Sequence, residues 1–115
     1  MSFTIESIEK ENIGVITVGG EVDMFTSPNL RDKLLPLFDK GVKGIIVDLT
    51  AVSFMDSSGI ATMVEGLQWS KKDGKFFVLT GIGETVMNAL SLTKLEKVFT
   101  IKPDKDDAFA ELSAG

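Results

Sequence analysis

The chain has no cysteine and no histidine. Those two zeros exclude disulfides, thiolate and imidazole metal ligands, cysteine nucleophiles and every mechanism that uses imidazole as its base. There is no apolar run near the ~18 residues a membrane helix needs, and no charged-then-apolar leader. The expectation is a cytoplasmic protein that inserts into no membrane. Basic residues are few: 12 Lys and Arg against 17 Asp and Glu leave a net charge of −5. That balance argues against a nucleic-acid partner held on a basic face and suits a partner with a basic surface. What is present is ordinary globular usage, 43% hydrophobic and 25% charged, which argues against disorder. At 115 residues the chain reads as one domain, 1–115, with enough length for one modest core.

Phe3 and Ile5, then Ile13, Val15 and Thr17, alternate with polar residues on either side of Lys10-Glu11-Asn12. Period-2 alternation around a polar break predicts an antiparallel hairpin. Gly19-Gly20 is expected to end it, with Glu21-Val22-Asp23 leading into a loop. Ser27 is a candidate helix cap and Pro28 a first helical residue, where a missing N–H costs nothing. Leu30, Leu34, Leu37 and Phe38 recur at helical spacing up to Gly41, a stop signal. Pro36 conflicts locally, removing one backbone bond and predicting a kink.

Gly44–Leu49 is a short continuous apolar run, as in a strand covered on both faces. From Asp56 to about Trp69, Ile60, Met63, Val64 and Leu67 form one helical stripe, closed by Lys71-Lys72-Asp73-Gly74. Met63 is assigned to the core; Trp69 lies off the stripe and is left open between core and contact. Lys75–Thr80 reads as a strand, Val86, Met87 and Leu90 as a short helix, and Val98–Ile101 as a brief strand. Asp104 is positioned to cap a last helix. The order β-β-α-β-α-β-α-β-α predicts an α/β fold with a mixed sheet, opened by the hairpin and continued through right-handed parallel crossovers.

Asp56-Ser57-Ser58-Gly59 is the stretch that bears on function. It follows the strand Gly44–Leu49 and a short loop ending in Phe54-Met55, at the start of an amphipathic helix. Loops beyond the carboxyl ends of strands are where ligands gather in open α/β sheets. Two hydroxyls there lie among free first-turn amides, a setting that accepts a phosphate. Asp and Ser are also the commonest helix caps, so capping alone accounts for such a cluster in most chains.

Phe54-Met55-Asp56-Ser57-Ser58-Gly59-Ile60 resembles the phosphorylation motif of bacterial anti-sigma-factor antagonists, the single-domain members of the STAS family. Gly20-Glu21-Val22-Asp23 is similar to that family's G-E-x-D after the second strand. Ser27-Pro28-Asn29-Leu30-Arg31 through Gly41, with Pro36, looks like its first helix. The resemblance implies a partner switch. No catalytic activity, cofactor or metal is expected, because no lysine is placed beside Ser57 by spacing and the chain lacks cysteine and histidine. The unphosphorylated chain would bind an anti-sigma factor that is also a serine kinase, and so free a sigma factor. The kinase would then phosphorylate Ser57, and a serine phosphatase would reset it. On this resemblance Asp23, Asp56, Ser57, Ser58 and Gly59 contact the partner, with Gly59 allowing its backbone to come close. Nothing apolar stands out as a dimer face, so the free protein is expected to be a monomer.

Two other readings use the same residues. A STAS subunit that is not phosphorylated, regulating a transporter or scaffolding a sensory complex, would keep the serine as a cap and contact. A receiver domain would use Asp48 as phosphoacceptor, with Thr80 and Lys102-Pro103 in the expected succession. It lacks the acidic pair after the first strand and one of the two helices required before Asp48. Gly81-Ile82-Gly83 is too short for a phosphate loop.

Overall fold

Glu11 and Asn12 both take left-handed backbone, with φ of 50° and 65°. Two such residues in succession make the tight turn whose twist matches a right-twisted hairpin. β1 (Phe3–Lys10) therefore folds back on β2 (Ile13–Val22) as an antiparallel partner, Lys10 opposite Ile13. The structure, a computed structural model, describes residues 2–114. The chain then alternates through α1 (Ser27–Asp39), β3 (Gly44–Met55), α2 (Ser57–Asp73), β4 (Phe76–Thr80), α3 (Glu84–Leu92), β5 (Thr100–Lys102) and α4 (Lys105–Ala114). The five-stranded sheet runs β1-β2-β3-β4-β5, and every pair after the first is parallel. This is the α/β fold, mixed sheet and element order expected from the sequence.

Alternation along the central strands divides the core in two. Ile16, Val18, Ile45, Val47, Leu49 and Leu79 face α1, α2 and α3, together with Leu30, Leu34, Met63, Val86 and Leu90. Ile13, Val15, Ile46 and Val78 face the other way, where α4 covers them through Ala108 and Leu112. One face thus carries the apolar stripes of α1, α2 and α3, and the other a single short helix. Met63 lies in the larger core as expected. Trp69 is partly buried against it, edge-on to Phe38 at 5.4 Å.

Several boundaries differ from the sequence reading, each for a local reason. Gly19-Gly20 does not end β2. The strand shifts register against β3 on either side of this pair, Gly20 takes φ +85°, and pairing resumes to Val22. The extra residues lie on β3, which bulges opposite the glycines: Thr17 to Gly19 faces Asp48 to Ala51, and Gly20 to Glu21 faces Val52 to Phe54. β3 does not stop at Leu49 but continues to Met55, so no loop precedes Asp56. Ser27 is the first residue of α1, buried, and the cap position falls on Thr26. Pro36 stands inside α1, which runs on to Asp39. Pro36 and Asp32 are both exposed, so the carbonyl that Pro36 leaves unpaired faces water. β5 comprises Thr100–Lys102 rather than Val98–Ile101. Gly41 and Gly74 end α1 and α2 in left-handed backbone, and Asp104 accepts from the Asp107 amide at 2.8 Å, as the sequence predicts.

Candidate functional site

β4 pairs with β3 only as far as Asp48 opposite Thr80. Beyond that point β2 and β3 run on together to Val22 opposite Met55. Seven further residues of β3 at ~3.3 Å each carry this end roughly 20 Å past the last β3–β4 pair. The Asp56 amide then donates to the Val22 carbonyl at 3.0 Å. The loop after β2 and the start of α2 are therefore fixed side by side, which brings Asp23 next to the Asp56–Gly59 turn.

Asp56 sits in extended backbone and caps α2. Its Oδ1 accepts from the Ser58 amide at 2.9 Å, the Gly59 amide at 3.4 Å and the Ser58 hydroxyl at 2.5 Å. The Ser58 hydroxyl is the main reason its carboxyl titrates below the ordinary value; the amides of Ser58, Gly59 and Met24 add to this against a smaller opposing effect of burial. First-turn amides expected to be free for a phosphate are thus already occupied by a carboxylate. Ser58 serves the cap. Ser57 is exposed, and among the described residues no hydrogen bond engages its hydroxyl.

A titration follows from this cap. Because folding lowers the Asp56 pKa, its contribution is complete above the unfolded value near ~3.9 and is lost as pH falls through the lower folded value. Asp56→Ala is expected to cost about 1 kcal/mol at pH 7, the usual worth of an N-cap. Paired thermal melts should show the gap between wild type and variant narrowing as the pH drops below the unfolded value of ~3.9.

Asp23 is engaged in its own loop. Its Oδ1 accepts from the amides of Phe25 at 2.9 Å and Thr26 at 3.1 Å, a turn that leads the chain into α1. Thr26 locks the other side, accepting from the Asp23 amide at 2.9 Å and donating to the Glu21 carbonyl at 3.0 Å. Gly59 is buried, and a Cβ there would come within 2.6 Å of Met55 Cγ and 2.8 Å of Val22 Cγ1. The need for glycine at this position therefore comes from packing within the domain.

Sequence reasoning missed the apolar side chains beside these residues. Phe25 is 78% exposed, Met24 67% and Phe54 43%. Met24 and Phe25 lie in the Asp23 turn, and Phe54 stands opposite Glu21 one step from the end of β3. The available signal was two adjacent large apolar residues inside a turn with no strand or helix period to bury them.

Asp48, the receiver phosphoacceptor candidate, is buried. It accepts from the hydroxyls of Thr50 at 2.7 Å and Thr80 at 3.1 Å. Register does align Asp48, Thr80 and Lys102 across β3, β4 and β5. However, Lys102 pairs with Glu111 at 2.9 Å, and no group of three or more acidic, His or Cys side chains converges among the described residues. The antiparallel opening hairpin also departs from the all-parallel succession that this reading requires.

Fold and site together define a single α/β domain that presents an exposed hydroxyl at a helix start, on the end of its longest strands. The chain belongs to the STAS domain family: the family model matches residues 4–108. It is 30% identical over 101 residues to an anti-sigma-B factor antagonist of Staphylococcus epidermidis, covering 88% of this chain and 94% of that one. An anti-sigma factor antagonist from Mycobacterium paratuberculosis superposes with a TM-score of 0.85 at 27% identity, over 96% of this chain and 93% of the other. The anti-sigma factor antagonist SpoIIAA, solved in unphosphorylated form, has the same fold: TM-score 0.82, 21% identity, 99% and 98% coverage. SpoIIAA has also been solved in a phosphorylated form.

Proposed function

We propose that this protein is a cytoplasmic anti-sigma-factor antagonist that works by partner switching. In the unphosphorylated state the end of the β2–β3 ribbon docks on an anti-sigma factor that is also a serine kinase, releasing the sigma factor. Phosphorylation of Ser57 ends the interaction, and a serine phosphatase restores it. The chain itself catalyses nothing and needs no cofactor or metal in this scheme.

The observation that carries the reading is the division of labour at the start of α2. Asp56 and Ser58 are bound to each other and to the first-turn amides, while Ser57 beside them is exposed. A modifying enzyme can reach Ser57 without dismantling the cap. Met24, Phe25 and Phe54 supply apolar contact area around it, and Asp23 holds the turn that presents two of them. The names of the relatives support the same assignment.

The test is phosphorylation by the cognate kinase followed by mass spectrometry. Phosphate is expected on Ser57, and Ser57→Ala is expected to remain unmodified and to hold the kinase. Full phosphorylation of Ser57→Ala would overturn the site. If Ser57→Asp retains every partner of the wild type, the chain is a scaffold or transporter subunit instead. Phe25→Ala should weaken partner binding about tenfold, as expected of an aromatic interface anchor, with an unchanged melting temperature. Equal affinities in a titration would remove Phe25 from the interface.

A further inference from the structure

β1 lies at the edge of the sheet, and among the described residues one side of its backbone has no partner strand. The Glu21 amide donates to the Ser2 carbonyl at 2.9 Å, and the β1–β2 register is regular from Phe3 opposite Gly20 to Lys10 opposite Ile13. Hydrogen-bonded and non-hydrogen-bonded pairs alternate in an antiparallel ladder. Thr4, Glu6, Ile8 and Lys10 therefore bond to β2, while Ser7 and Glu9 direct their amides and carbonyls outward. Side chains alternate as well. Lys10 lies over the Phe109 ring at 5.4 Å, which places Glu6, Ile8 and Lys10 on the α4 face. A cavity of about 260 Å³ opens there between β1 and α4, with Ile8, Val15 and Phe109 in its lining. Ile8 is 50% exposed.

We propose that β1 pairs edge to edge with β1 of a second copy of this chain, antiparallel about Ile8, joining two five-stranded sheets into one. The pattern Glu6-x-Ile8-x-Lys10 is self-complementary under a two-fold axis normal to the sheet. With Ile8 opposite Ile8, Glu6 of each copy meets Lys10 of the other, giving two cross-strand ion pairs around an apolar centre. Ser7 and Glu9 then face Glu9 and Ser7 of the other copy, and their outward amides and carbonyls form the hydrogen-bonded pairs. The ion pairs and the Ile8 contact fall at the non-hydrogen-bonded positions, where side chains approach most closely. Neighbouring registers lose the ion pairs. A shift of one residue in each copy one way stacks Glu9 on Glu9. The opposite shift centres on Ser7 and sets Ile8 against Glu6, and one further step stacks Glu6 on Glu6.

Edge charges ordinarily guard a strand against chance pairing; here their order selects one partner and one register. The contact is small, so the dimer is weak and forms at high local concentration. At low concentration the free chain remains the monomer expected from the sequence. Ile8 pairs with Val15, seven residues before Val22 on β2, so each Ser57 end lies roughly 20 Å from the axis and stays free. The inference is independent of what binds there.

Sedimentation velocity from ~10 μM to ~1 mM, the range of weak interfaces, tests it. The wild type is expected to shift from monomer to dimer across this range. Lys10→Glu should weaken association at least tenfold, and Glu6→Lys in the same chain should restore it. Ser7→Pro removes an outward amide and no bond to β2, and is expected to leave a folded monomer by circular dichroism. A wild type that stays monomeric throughout overturns the proposal. So does a dimer indifferent to Lys10→Glu, or a Glu6→Lys/Lys10→Glu chain that fails to recover.

Discussion

Phosphorylating Ser57 is expected to weaken binding to the anti-sigma factor by at least ~10³-fold, or about 4 kcal/mol. The new group brings −1.5 to −2 charges. It arrives beside Asp56, whose carboxyl is held in its ionised form by the Ser58 hydroxyl and the neighbouring amides. Those amides would otherwise reward a phosphate, but Asp56 already occupies two of them. The dianion is therefore left to water in the free protein and stripped of it in the complex, next to another negative charge. Swinging occupancy from 99:1 to 1:99 requires about 5.5 kcal/mol, and an uncompensated buried charge is of that order. Ser57→Asp carries a single charge on a shorter arm and should lose only about tenfold to thirtyfold. Calorimetric titration with the unmodified, phosphorylated and substituted chains gives the three affinities. A phosphorylated chain binding within threefold of the unmodified one would sink the charge mechanism.

Gly20→Ala is expected to lower the melting temperature by about 12 °C, the equivalent of ~3 kcal/mol in a domain of this size. Gly20 holds φ +85°, a region costly to any residue with a Cβ. The added carbon would also collide with the Ser2 carbonyl oxygen, and lie 2.6 Å from the Ser2 carbonyl carbon and 3.1 Å from Phe3 Cα. These are backbone atoms of Ser2 and of the first residue of β1, and cannot swing away as a side-chain tip does. Relief means moving the start of β1, which breaks the bond from the Glu21 amide to Ser2. Gly41→Ala is the control, with φ +74° but open space around the new carbon. It should lose only about 1 kcal/mol, or ~4 °C. Equal losses in thermal melts of the two variants would show that strain alone matters and that the collision is relieved.

Gly20 also illustrates what was legible in the sequence and what was not. Strand and helix order was readable because Pro28, Gly41 and Gly74 punctuate locally and each run has a clear period. A Gly-Gly pair looks the same whether it ends a strand or carries it on; the difference lies in β3, which bulges opposite the pair and continues alongside β2 to Met55. The second half of β3 was hidden for a related reason. In Thr50–Met55 only Val52 and Met55 are buried, so it reads as loop after the continuous apolar run before it. At the site, the helix start at Ser57 was readable from Asp56, a cap residue ahead of an amphipathic stripe. Asp23 was not readable as a turn-forming acid, because a solvated aspartate and one bonded to the amides two and three residues on share the same sequence. Gly59 was assigned outward to a partner, whereas Val22 and Met55, distant in sequence or on another element, are what require it.

The unequal helix layers give the domain two clocks. Ala108 and Leu112 are the buried residues by which α4 shields Ile13, Val15, Ile46 and Val78. Lifting so short a helix exposes one side of the central strands while leaving the ladder and the opposite layer standing. Amide deuteration should therefore reach α4 first and the α2 interior much later. The Ser57 end would keep its shape through excursions that briefly wet the opposite face.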